Sequence, residues 1–72
     1  MLKEIESFSN EEFDETRTTV DRLIQAGKLK SLGLDPTERT WLVEMYEDDQ
    51  GRTWLFAQVD QAFRGYLRIR KS

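Results

Sequence analysis

Two periods divide the chain. Phe13, Thr16, Val20, Leu23 and Ile24 recur at helical spacing, whereas from Thr40 onward apolar and polar positions alternate. The first pattern predicts one helix running to about Ala26, with that stripe on its buried face. The second predicts three short strands, Thr40–Glu47, Arg52–Asp60 and Phe63–Arg70. Between the first two lies Asp48-Asp49-Gln50-Gly51, where Gly51 suits the positive-φ position of a three-residue hairpin loop. With Asp49-Gln50-Gly51 as that loop, Met45 faces Leu55, Val43 faces Ala57 and Trp41 faces Val59. One sheet face is then almost wholly apolar, and the third strand adds Phe63, Gly65, Leu67 and Ile69 to it. The helix is expected to cover this side.

The helix boundaries carry their own signals. Ser9 and Glu12 have capping-box spacing, and Phe8 and Phe13 occupy the two positions of a hydrophobic staple. Glu11, Glu12, Asp14 and Glu15 sit where the helix dipole favours negative charge, so this acidic group is expected to be a solvated first turn. Gly27 supplies the left-handed residue that ends the helix. Lys28–Leu34 is apolar but broken by Gly33, and is expected to be a connector on the sheet edge. Asp35-Pro36 marks a turn, because proline pushes its predecessor out of the helical region. Met1–Ser7 shows no period. The resulting fold class is α+β: one N-terminal helix packed on a three-stranded antiparallel β-meander, a single domain over residues 1–72.

The second sheet face then carries Leu42, Glu44, Tyr46, Trp54, Phe56, Gln58, Arg64, Tyr66, Arg68 and Arg70. Aromatic rings beside an arginine ladder are unusual for a solvated face. Tyr, Trp and Arg are the residue types that dominate interface hot spots. The expected partner-binding set is therefore Tyr46, Trp54, Phe56, Arg64, Tyr66, Arg68 and Arg70, engaging a protein partner or a second copy in a homodimer. Trp54 and Phe56 would be apolar anchors and Arg68 would meet a carboxylate, so Trp54→Ala is expected to weaken binding without unfolding the monomer. The alternative is that this face is closed within the molecule, by Leu29–Leu34, by Met1–Phe8 or by a second copy.

Composition narrows the chemistry. Seventy-two residues with no cysteine and no histidine lack a disulfide framework, a thiol nucleophile and the commonest general base. No enzymatic activity and no cofactor is expected. Glu47, Asp48, Asp49 and Asp60 lack the alternating spacing of a calcium loop, and the acidic run reads as a polar turn rather than a metal site. No apolar run is long enough to span a membrane and no signal peptide follows Met1, so a cytoplasmic location is expected. The net charge of −3 is unevenly spread: residues 61–72 carry four bases and no acid. An acidic total disfavours duplex binding, which depends on neutralising phosphates. Single-stranded nucleic acid is the alternative partner, with Trp54, Phe56 and Tyr66 stacking bases and Arg64, Arg68 and Arg70 meeting phosphates.

Two resemblances bear on these readings. Arg64-Gly65-Tyr66 is similar to the opening of the RNA-recognition-motif signature, although Leu67 and Arg68 depart from its next small and aromatic positions. The run Trp41…Tyr46-Glu47-Asp48…Gly51-Arg52…Trp54, preceded by Val20…Leu23-Ile24, resembles the bacterial immunity protein 27 family of polymorphic toxin systems over roughly residues 14–56. That family's later histidine, triple-glycine and proline stretch is replaced here by Gln61-Ala62-Phe63-Arg64-Gly65. The resemblance implies a small cytosolic protein that neutralises a toxin by binding it.

Overall fold

The computed structural model describes residues 2–38, 42–59 and 63–70. One helix, α1 (Asn10–Gln25), precedes four strands, β1 (Leu29–Leu34), β2 (Val43–Asp48), β3 (Thr53–Ala57) and β4 (Tyr66–Ile69). The strands form one antiparallel sheet in the order β1-β2-β3-β4. The α+β class stands, with four strands rather than three.

Local chemistry sets both ends of α1. The Ser9 hydroxyl accepts from the Glu12 amide at 3.1 Å, and the Glu12 carboxylate accepts from the Ser9 amide at 3.0 Å. The Phe8 and Phe13 rings meet edge to face at 5.7 Å, completing the staple. At the far end the Lys28 amide donates to the Leu23 carbonyl and the Gly27 amide to the Ile24 carbonyl, with Gly27 at φ +74. This pair of bonds is a Schellman motif, and it turns the chain directly into β1. The segment expected as a connector is thus the additional strand. Its alternation is hidden in the sequence by an irregularity between Ser31 and Gly33, where the pairing with β2 shifts.

The β2–β3 hairpin has the expected register. Met45 pairs with Leu55 and Val43 with Ala57, and Gly51 takes φ +79 in the loop. The expected Trp41–Val59 pairing involves Trp41, outside the described residues. What differs is the face the helix takes. Tyr46, Trp54 and Phe56 form the core with Val20, Phe8, Leu29 and Leu67, all buried. The Arg17 guanidinium lies 4.8 Å from the centroid of Phe56, and Phe13 lies 5.6 Å from the same ring. The physical reason is size. Each large aromatic removes roughly 150–250 Å² from water, so Tyr46, Trp54 and Phe56 bury more apolar area under the helix than the smaller Val43, Leu55 and Ala57 would.

β4 also differs from expectation. Leu67 pairs with Phe56 and Ile69 with Trp54, so these two join the core side, while Tyr66 and Arg68 join the side of Ala57 and Leu55. A one-residue change of register moves every side chain of a strand to the other face. Gly65 helps to fix this register. It sits at φ +73, and a Cβ there would stand 2.4 Å from the Ala57 carbonyl oxygen. Beyond β4, Ile5 closes the sheet edge with two bonds to Leu67, each 2.8 Å.

Candidate binding surface

The seven residues expected to form one binding face are distributed over three environments. Tyr46, Trp54 and Phe56 are 3 %, 3 % and 0 % exposed, so they are core residues and the expectation that they stand open is corrected. The alternative of closure within the molecule is what the fold realises. The cover is α1, with Phe8 and Leu29 adding to the core and Leu2 and Ile5 packed against it. Two of the three rings suggested for base stacking are thereby enclosed.

The polar atoms that made this side look like a surface are each occupied. The Trp54 indole donates to the Asp48 carboxylate at 3.0 Å. Glu44 accepts from Arg17 at 2.7 Å and from Gln58 at 3.0 Å, forming a half-buried clamp between helix and sheet. Partial burial works to raise the Glu44 carboxyl, but the bonds from Arg17 and Gln58 outweigh it and hold its pKa below the ordinary range. Burial likewise opposes the Arg17 charge, and Glu44 more than restores it. Burial, followed by the neighbouring Glu44, pushes the Tyr46 phenol up.

Arg64 is a structural tie. Its Nε donates to the Phe8 carbonyl at 3.0 Å and its Nη2 to the Asn10 side chain at 2.8 Å. It joins the approach to β4 to the start of the helix.

Tyr66, Arg68 and Arg70 lie on the other side of the sheet, which no described helix or strand covers. The Arg68 guanidinium stacks 3.7 Å from the Tyr66 ring centroid, and Phe63 meets the same ring edge to face at 6.2 Å. The Arg70 amide donates to the Thr53 carbonyl, while its guanidinium reaches the Met45 sulfur at 3.9 Å. Because β3 separates β4 from β2, this side chain crosses about 9–10 Å of sheet. On the outer face Val43 and Ala57 are buried, while Met45, Leu55 and Tyr66 are half-buried beneath two guanidinium groups. Neither arginine forms an ion pair with a described residue. Such a group can receive a carboxylate in bidentate fashion.

Met45 and Leu55 were not expected on a binding surface. Their pairing is readable from the hairpin loop, but which side the helix would take is a tertiary choice. The acidic turn is likewise internal to the hairpin. Asp48 accepts from the Gln50 amide, the Arg52 amide and Nε, and the Trp54 indole, at 2.7–3.0 Å. Asp60 lies outside the described residues. Among the described residues no cluster of three or more metal-ligating side chains is present, and no helix is long and apolar enough to cross a membrane. The chain matches no protein-family model, no curated protein and no solved structure.

Proposed function

We propose that the protein is a non-catalytic protein-recognition module of the cytoplasm, with an immunity or regulatory role, that binds through the outer sheet face. The observation that carries this reading is the pair Arg68 and Arg70, held over Met45, Leu55 and Tyr66 without an ion pair to a described residue, with Asp35 within electrostatic reach of Arg70 alone. An apolar centre under well-placed guanidinium groups suits a protein surface bearing Asp or Glu around an apolar patch. The resemblance of residues 14–56 to the immunity protein 27 family supports a partner of the toxin kind. Arg68 is the specificity contact in this reading, and Tyr66 and Leu55 supply buried area.

The test uses the product of an adjacent reading frame as the binding partner. Arg68→Glu with Arg70→Glu should leave the melting temperature within a few degrees of the parent and weaken that complex at least a hundredfold. An unchanged complex, measured by calorimetry, would remove the outer face from recognition. Binding of a labelled single-stranded oligonucleotide that fades steeply with salt would instead favour nucleic acid as the partner.

A further inference from the structure

The sheet has two edges, and they are finished differently. On β4 the Leu67 amide and carbonyl are both bonded to Ile5, and the Ile69 amide is met by the Glu4 carboxylate at 3.3 Å. On β1 no described residue pairs with the outer edge, and every residue from Lys30 to Leu34 is exposed. Leu32 and Leu34 are 41 % and 56 % exposed. An open edge strand with exposed leucines is a template for another strand.

The charges along this edge are polarised. Lys28 and Lys30 stand at its start and Asp35 just beyond its end. Lys30 stands opposite Glu47 in the β1–β2 register, yet neither lysine forms an ion pair with a described residue. One Asp35 oxygen is engaged by the Thr37 amide and hydroxyl, the second makes no hydrogen bond with a described residue, and Arg70 of the same chain lies within electrostatic reach. In an antiparallel pair of identical strands related by a two-fold axis near Leu32, the lysines of each copy approach Asp35 of the other. The same axis sets Leu32 against its own copy and Leu34 beside Lys30 of the second copy. Parallel pairing would instead set lysine beside lysine.

We propose that β1 is a self-pairing edge, through which two copies join antiparallel into one continuous eight-stranded sheet. An isologous contact of this kind closes on itself and leaves both outer faces free. Lys30 and the irregularity at Ser31–Gly33 are features that commonly discourage strand addition. Here Lys30 finds its counter-charge in the second copy, and the irregularity limits the paired length. The contact therefore belongs to the small, weak class of interfaces, with a dissociation constant on the order of 10 µM.

Sedimentation equilibrium of the full chain, from micromolar concentration to about 1 mM, tests this. A monomer–dimer equilibrium is expected. Lys28→Glu with Lys30→Glu should weaken it about tenfold, because symmetry counts each exposed pair twice. Asp35→Lys should do the same, and combining all three changes should restore it, with circular dichroism confirming that each variant is folded. A chain monomeric throughout, or a dimer indifferent to the charge reversals, would overturn the proposal. Arg68→Glu on the outer face should leave the dimer intact, which separates this test from that of the recognition face.

Discussion

Trp54 has its ring in the core and its nitrogen tied to a turn. It is 3 % exposed, its indole donates to Asp48, and the Arg52 guanidinium lies 5.8 Å from its ring centroid. Truncating a buried tryptophan to alanine costs about 3–5 kcal/mol. A core in a chain this short supplies about the same net amount. Trp54→Ala is therefore expected to unfold the protein, opposite to what an exposed anchor would do. Far-ultraviolet circular dichroism and urea titration read the outcome directly. A folded variant within about 1 kcal/mol of the parent would show that the indole contributes little to the core.

At the scale of elements, what was legible in the sequence is what local chemistry decides. Ser9, Glu12, Phe8, Phe13 and Gly27 specify the helix ends through neighbours within a few positions. Asp49-Gln50-Gly51 likewise specifies the hairpin register. The face taken by the helix was not legible, because alternation shows that a strand has two sides without ranking them. Tyr46, Trp54 and Phe56 read as surface on account of Glu44, Gln58 and the arginines Arg64, Arg68 and Arg70 on the same alternation, yet Glu44 and Gln58 are satisfied with Arg17 at the rim of the core. β1 escaped because Ser31–Gly33 interrupts its period, and β4 was misregistered because alternation alone does not show the close approach of Gly65 to the Ala57 carbonyl that positions it. Of the expected site, Tyr66, Arg68 and Arg70 share the open face, and Arg64 serves the fold.

The hairpin also carries a pH dependence. Burial opposes the Asp48 charge, but the Trp54 indole and the Arg52 and Gln50 donors overcome this and hold its pKa far below the ordinary carboxylate value. A carboxylate depressed in the folded state contributes stability that is complete above its unfolded pKa of about 3.9 and is lost as pH falls toward the folded value. Glu44 acts in the same direction. Asp48→Asn should lower stability at neutral pH and flatten the acid side of the profile between about pH 5 and pH 2. Urea midpoints measured across that interval check it, and two parallel profiles would remove Asp48 as the source.

For the whole molecule, sequence neighbours are spatial neighbours from the helix through all four strands, and β4 is hydrogen-bonded back to the start of the chain. Arg64 bonds to Phe8 and Asn10 across 56 and 54 positions, and Leu67 to Ile5. Connections of short span are made cheaply and early, whereas a seam between distant parts waits until the intervening chain is ordered. The meander should thus assemble first and the β4 seam last, placing Arg64 on the native side of the kinetic barrier. In stopped-flow measurements Arg64→Ala should speed unfolding about tenfold and leave the refolding rate nearly untouched, whereas a matching slowdown in refolding would put that seam in the nucleus. The same tie that shapes one edge of the sheet would then set how long the native state survives.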